Sequence, residues 1–389
     1  MTVIVEQLNS IDWIVVGSLT ALFLAQVLFY ACCMAAPART IRGRKKRLQV
    51  DATTPADELP GVSVVLCAHN ERENLSHYLQ ALITQDYPTY EVIVVDDGSE
   101  DDTREIIERY MVHDDRLHMT FVPYGARVGS TKKLALTLAA KAAKYDYLLM
   151  TDADCVPENK LWIRAMMNGF ADGKDVVLGF SPYFEETGHV NRLVRYDTLF
   201  NGLHYMGAAY WGLPYMGVGR NLAYRKSLFF ESGGFTHLMT NTAGDDDLFV
   251  NHVATSRNTA VVLQRESLVW SVPKRTMREW WQQKRRHLSV SPAYKLSTKI
   301  RLVTEPLTRG LFYALVLFIL IRYGVSLISL AALVLFLLRW ILQTAIINTS
   351  ARRIGTKRFR MATVLWLDIT LPLVNLWMLA VPMRSKKIW

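Results

Sequence analysis

The stretch VSVVLCAHNERENL at residues 62–75, followed by EVIVVDDGSEDD at residues 91–102, decides the fold class. Val62 to Ala68 is a short apolar run without alternation, the pattern of a strand buried on both faces. Arg72 to Gln85 then spaces its apolar residues at helical intervals. Glu91 to Val95 reads as a second buried strand, and Asp101 to about Tyr110 as a second helix. The alternation continues with a strand from Leu117 to Val122, an alanine-rich helix from Lys132 to Lys144, and a strand from Tyr147 to Met150. This order predicts parallel βαβ units, hence an α/β domain whose mostly parallel sheet carries helices on both faces. In such sheets ligands bind beyond the carboxyl ends of the strands. Two acidic clusters fall there: Asp96-Asp97-Gly98-Ser99 and Thr151-Asp152-Ala153-Asp154. A lone aspartate after a strand often only caps the next helix, and Asp101 and Asp102 are read that way. Two carboxylates flanking one small residue offer hard oxygen ligands for Mg2+ or Mn2+, with coordination positions left for a diphosphate.

Outward from this core the composition changes. The chain has 389 residues, 51% of them hydrophobic and 21% charged, and the long uncharged runs collect at its two ends. Trp13 to Met34 is about one bilayer crossing. The segment before it carries Glu6 and Asp12 but no basic residue, so an uncleaved anchor is expected rather than a signal peptide. Leu311 to Ile347 would be about 55 Å long as one helix, too much for a single crossing, and two helices turning near Arg322-Tyr323-Gly324 fit better. A third segment, Met361 to Met383, contains Asp368, Pro372 and Asn375 and either spans or lies partly in the interface. Arg322 and Arg339 are read as snorkelling or helix-boundary residues, the alternative being contacts to lipid phosphate. The expected organisation is an anchor at 1–36, a basic linker at 37–59, the α/β domain at 60–277, an amphipathic interfacial region at 278–306, and a membrane region of two or three helices at 307–389.

The formal charge of +10 is concentrated beside the apolar runs, at Arg39 to Arg47, Lys274 to Arg286, Arg352 to Arg360 and Arg384 to Lys387. Such juxtamembrane clusters face anionic lipid and the cytoplasm rather than nucleic acid. A spanning third C-terminal helix would put Arg384, Lys386 and Lys387 on the other side, against that tendency. Four unpatterned cysteines (Cys32, Cys33, Cys67 and Cys155) suit a reduced compartment. Gly125 to Ser130 fits neither a Walker motif nor a dinucleotide fingerprint, which disfavours a kinase or dehydrogenase. His287 and Ser291 lie close in sequence without a nucleophile elbow, so a hydrolase triad is a poor fit.

Taken together the motifs resemble a known family. Ala68-His69-Asn70-Glu71, DDGS at residues 96–99, Lys132 followed by Ala135-Leu136, and DAD at residues 152–154 look like family 2 glycosyltransferases, which have the GT-A (Rossmann-like) fold and use nucleotide-diphosphate sugars. GVGRNLAYR at residues 217–225 and Gly233-Gly234-Phe235 resemble the acceptor half of the membrane-bound members. These include hyaluronan, cellulose and chitin synthases and ceramide glucosyltransferases. Gly244-Asp245-Asp246-Asp247 stands where they carry an acid pair with the catalytic base. QKRRH at residues 283–287 resembles their Q-x-x-R-W motif, with His287 in the tryptophan place; a register from Gln282 aligns Arg285 instead and puts Arg286 there.

The resemblance implies roles residue by residue. Ala68, Asn70, Glu71, Asp96 and Asp97 would bind the nucleoside, and Lys132 the phosphates. Asp152 and Asp154 would hold Mg2+ or Mn2+ with the diphosphate. Gly219, Arg220 and Asn221 would line the acceptor side, although a tight turn into a helix also explains that stretch. Asp246, with Asp245 as runner-up, would take the proton of the attacking hydroxyl, with inversion at C1. Asp247 is read as solvent-facing or a helix cap, and three adjacent acids should raise at least one pKa. Gln283, Arg286 and His287 would sit beneath the donor diphosphate, on a helix whose Trp280, Trp281 and Lys284 also suit a membrane surface. His204, Tyr205, Tyr210, Trp211 and Tyr215 either stack on a sugar or pack in the interior.

The expected activity is transfer from a nucleotide-diphosphate sugar, a UDP-sugar by resemblance, to a lipid or lipid-linked glycan at the cytoplasmic face of the plasma (inner) membrane. The expected partners are donor, lipid or glycan acceptor and membrane lipids, with no nucleic acid. A processive polysaccharide synthase is the alternative. An inactive scaffold with a sugar-binding domain is a third reading, disfavoured by the intact Asp96, Asp152, Asp154 and Asp246.

Overall fold

The computed structural model describes residues 10–37, 59–123, 130–239 and 243–380. The basic runs Arg39 to Arg47 and Arg384 to Lys387, most of the linker, and Gly125 to Gly129 lie outside the described residues. One seven-stranded sheet has the order β3-β2-β1-β4-β7-β6-β8. Its strands are β1 (Val62–Ala68), β2 (Tyr90–Asp96), β3 (Leu117–Phe121), β4 (Tyr147–Met150), β6 (Val176–Leu178), β7 (Leu222–Arg225) and β8 (Thr259–Val261). Only β7 runs against its neighbours. A two-stranded ribbon pairs β5 (Cys155–Pro157) with β9 (Val269–Ser271). The sheet is therefore mostly parallel, as the alternation predicts.

β1 is hydrogen-bonded on both edges and packed on both faces, which is why its sequence does not alternate. Val62, Val64 and Leu66 face the side covered by α2 (Arg72–Ile83), α3 (Thr103–Met111) and α5 (Trp162–Met167). Val65 faces α4 (Thr131–Ala142) through Ala135 and Ala139. The helix after β1 stops at Ile83, two residues before its expected end. Gln85 turns its own side chain onto the Ala81 carbonyl (2.8 Å), and its N–H goes to Tyr90 Oη (3.1 Å) instead.

Among the described residues, four helices are long and apolar enough to cross a membrane. They are α1 (Ser10–Leu28, continued by a π-helical turn Phe29–Met34), α10 (Leu296–Tyr323), α11 (Leu327–Ile354) and α12 (Met361–Ala380). The hairpin breaks at Gly324, whose φ of 52° and ψ of −133° suit glycine, and Ser326 caps the next helix. The helix containing it begins at Leu296, so the expected boundary at 306/307 falls inside a continuous element.

Arg339 corrects the sequence reading: it neither snorkels nor marks a helix end. It is 1% exposed and donates to Asp368 Oδ2 (2.9 Å), Gln26 Oε1 (2.8 Å) and Tyr313 Oη (2.8 Å). Arg309 reaches Asp368 Oδ1 (2.6 Å) and Glu305 (2.8 Å), and Gln343 also donates to Asp368 (2.7 Å). A carboxylate enclosed by four helices needs such partners, and two guanidinium groups supply them. Arg322 does stay at a helix end, exposed and over the Tyr323 ring.

The membrane helices do not stand apart from the sheet. Tyr30 and Met34 of α1, Ile347 and Ile354 of α11, and Val364 and Met378 of α12 share one apolar cluster with Val65, Ile93 and Leu178. Between them lies α6 (His189–Tyr210). Its Tyr205 is buried with the hydroxyl on Gly179 O (2.8 Å), and Tyr215 is buried beyond the helix end. His204 packs on Phe29 and Tyr215, and Trp211 donates to Cys32 O (2.9 Å). His204 and Trp211 tie α6 to the anchor; of the five aromatic residues, Tyr210 and Trp211 are the exposed ones.

Candidate active site

β1, β2 and β4 all end on one rim, and the reversed β7 begins there, since Leu222 pairs with Met150. This register brings separate stretches of sequence together. At the ends of β1 and β2, Asn70 adopts a left-handed φ of 57°, which a short polar side chain tolerates. Its N–H donates to Ser99 Oγ (3.0 Å) and its Oδ1 accepts from Glu100 N (2.8 Å), locking the two loops. Asp96 Oδ1 accepts from Ser99 N (3.0 Å), and Ala68 contributes its carbonyl to Asp97 N (2.8 Å). Asp97 Oδ2 is buried with no hydrogen-bond partner among the described residues. Burial raises the Asp97 carboxyl. Burial also raises Glu71; Asn74 opposes this, while Asp154 and Asp152 add to it.

The acids lie deeper. Lys132 Nζ is 3.2 Å from Asp152 Oδ1 and 3.3 Å from Asp245 Oδ2. Asp154 accepts from Cys155 Sγ (3.2 Å) and Ser271 Oγ (3.4 Å). Burial and the like charge of Asp152 push the Asp154 carboxyl up, partly offset by Arg220. Arg220 lies over the Tyr183 ring at 4.3 Å, and Tyr183 Oη accepts from Gln283 Nε2 (3.1 Å). Gln283 belongs to α9 (Met277–Leu288), held to α6 by Lys284 and Asp197 (2.7 Å) and to α12 by Trp281 against Trp377. Gln282 is exposed, whereas Gln283 is held on Tyr183. Arg286 and His287 follow on exposed positions. The surrounding protein and the neighbouring Arg286, Lys284 and Arg220 cations lower the His287 imidazole.

The three adjacent acids separate in character. Asp246 caps α8 (Asp247–Val253), its Oδ1 accepting from Asp247 N (2.7 Å) and its Oδ2 from Gly219 N (2.8 Å). Burial and the neighbouring Asp245 raise Asp246. Asp245 is equally enclosed, and burial alone would raise it, but the Lys132 ammonium, a backbone hydrogen bond and Lys133 together keep it low. Asp247 corrects the expectation of a solvent-facing residue: it is buried, accepts from Tyr294 Oη (2.9 Å), and is pushed up to about 8 by burial and Asp246. Lys133 steadies this loop by donating to the Leu238 (2.8 Å) and Ala243 (2.7 Å) carbonyls.

Asn221 does not reach the cleft. It is fully buried, accepts from Trp162 Nε1 (3.1 Å) and donates to the Phe180 (2.8 Å) and Ser267 (2.7 Å) carbonyls. Its neighbours Gly219 and Arg220 do line the site, on a 3-10 turn that leads into β7 rather than into a helix. Sequence reasoning missed Tyr183 and Ser271, which sit in no motif and carry no spacing signal. Among the described residues no group of three or more His, Cys, Asp or Glu side chains is arranged for a metal. The DAD pair supplies two.

Residues 63–236 match the family described as Glycosyl transferase family 2. A chondroitin synthase of Pasteurella multocida is 29% identical over 139 residues, which are 35% of this chain and 14% of that protein. A poly-beta-1,6-N-acetyl-D-glucosamine synthase of Staphylococcus epidermidis is 33% identical over 99 residues, 25% of this chain and 23% of the synthase. The chain thus spans less than a quarter of the length of either curated relative. Among solved structures, mannosyltransferase PcManGT from Pyrobaculum calidifontis, in complex with GDP-Man and Mn2+, superimposes with a TM-score of 0.52 at 19% identity, covering 86% of this chain and 98% of the other. At that identity the likeness speaks for the fold. Residues 63–236 thus resemble the glycosyl transferase family 2, within a fold shared with that mannosyltransferase.

Proposed function

We propose that the chain is an inverting, metal-dependent transferase that moves a sugar from a UDP-sugar to a hydroxyl of a lipid or lipid-linked glycan, with its GT-A domain on the cytoplasmic side of the plasma (inner) membrane. The observation that carries this is the meeting of Asp152, Asp245 and Lys132 at one rim, with Asp246 beside them on the Gly219 N–H. The orphaned Asp97 Oδ2, with Asp96, Glu71 and the Asn70 turn, suits the hydroxyl and N–H donors of a nucleoside. Asp152 and Asp154 suit a divalent cation, because burial and the like charge of Asp152 raise the Asp154 carboxyl, and a dication would relieve that repulsion. Bound there, it would neutralise the charge developing on the leaving diphosphate. Gln283, Arg286 and His287 border the same space from α9. Asp246, the more basic of the acid pair, takes the acceptor proton.

The acceptor class follows from the setting. The GT-A domain shares its core with four candidate membrane helices, so a lipid headgroup at the bilayer surface comes within reach of the cleft. A processive polysaccharide synthase remains the second reading, favoured by the names of the relatives. Against it, the interior of this helix bundle is filled by Arg309, Arg339, Asp368 and Gln343. The deciding experiment supplies labelled UDP-sugars with Mg2+ or Mn2+ to the protein in native-lipid nanodiscs and sizes the product. A small organic-soluble product is expected. A large water-soluble polymer would establish the processive alternative, and no transfer from any UDP-sugar would remove the donor assignment.

A further inference from the structure

Lys132 makes a contact that neither donor binding nor base catalysis requires. Its single ammonium joins Asp152, at the end of β4, to Asp245, beside the base, at 3.2 and 3.3 Å. The two ends differ in exposure: the Asp152 side chain is 33% exposed and that of Asp245 14%. One grip is therefore open to incoming solutes, and the other is closed.

We infer that Lys132 is a resident counter-ion that occupies Asp152 until a divalent cation is loaded, then yields Asp152 and stays with Asp245. The inference rests on the reading of Asp152 and Asp154 as metal ligands. It makes metal loading competitive with an internal cation, so that metal alone binds weakly. The donor's diphosphate relieves the competition by offering Lys132 a replacement anion. Lys132 thereby ties the metal acids to the base loop, and Asp245 stays ionised beside Asp246 in both states.

The test reads Mn2+ binding directly, by electron paramagnetic resonance on the full chain in nanodiscs without donor. Lys132→Met should bind Mn2+ about three- to tenfold more tightly than the parent, the range for losing a half-exposed ion pair. Asp245→Asn should bind it more weakly, because Lys132 then rests on Asp152 alone. In the Lys132→Met background that weakening should shrink, since the competitor is gone. Unchanged or weaker Mn2+ binding by Lys132→Met would overturn the inference, as would equal effects of Asp245→Asn in both backgrounds. Circular dichroism confirms folding, and Lys132→Gln replaces any Lys132→Met that misfolds. Asp154→Asn separates the two levels: if it binds Mn2+ as the parent does, the metal assignment itself falls.

Discussion

At the residue scale the chemistry turns on how three consecutive aspartates come to differ. Asp246 accepts two backbone N–H groups, yet burial and Asp245 still raise it, while Lys132, a backbone hydrogen bond and Lys133 hold Asp245 low. Asp246→Asn should leave donor binding intact and lower turnover by about a hundred- to ten-thousandfold, the usual span for a general base. Isothermal titration with UDP and a labelled-sugar assay check the two halves; if Asp245→Asn alone stops turnover, the base moves by one residue. Because the ionised base is the active form, the rate should fall as pH drops through a value above the ordinary carboxylate range. Asp247 gives a separate signature. Its folded-state pKa of about 8 lies above the unfolded value, so the folded chain binds the extra proton. Its contribution to stability is complete at low pH and is lost as pH rises through about 8. Asp247→Asn should flatten the dependence of the unfolding midpoint between about pH 5 and 8. None of this differentiation is legible in the string DDD, because it depends on Tyr294, Gly219 and Lys132, which arrive from distant parts of the chain.

At the element scale the first four strands of the sheet and the helices between them were readable almost to the residue, whereas β6, β7 and β8 were not assigned. β1 and β4 have their expected limits, because an uninterrupted apolar run bounded by polar residues has one reading. Ends set by tertiary partners were not readable: α2 stops where Tyr90 takes a backbone N–H, and Asn221 turns inward because Trp162 and two carbonyls need its amide. The same holds for α6, whose contact with α1 depends on a bare backbone. A Cβ at Gly207 would lie 2.1 Å from the Cys33 carbonyl oxygen. Gly207→Ala should therefore wedge the two helices apart and cost about 1–3 kcal/mol, seen as a lower thermal midpoint in detergent. A midpoint equal to the parent's would show that the helices separate without strain.

At the scale of the whole molecule, Asp368 is the hub that joins α10, α11 and α12, and through Gln26 and Arg339 it also secures α1. Sequence position gave Arg339 no partner, since its counter-charge lies on another helix of the bundle. Asp368→Ala would leave the buried Arg339 guanidinium without a counter-charge and Arg309 with Glu305 alone, and should cost about 3–5 kcal/mol. Yield and unfolding in detergent measure it, and a stability within about 0.5 kcal/mol of the parent would show that solvent reaches the cluster. The apolar cluster shared by sheet and bundle carries a further consequence. Tyr30, Ile347 and Val364 form part of the wall against which the sheet packs, so the hydrophobic side of the catalytic fold is completed by membrane helices. Proteolytic release of the sheet domain would strip that wall and should leave an aggregating fragment, so the sheet and the helices that complete its core are inherited as one unit.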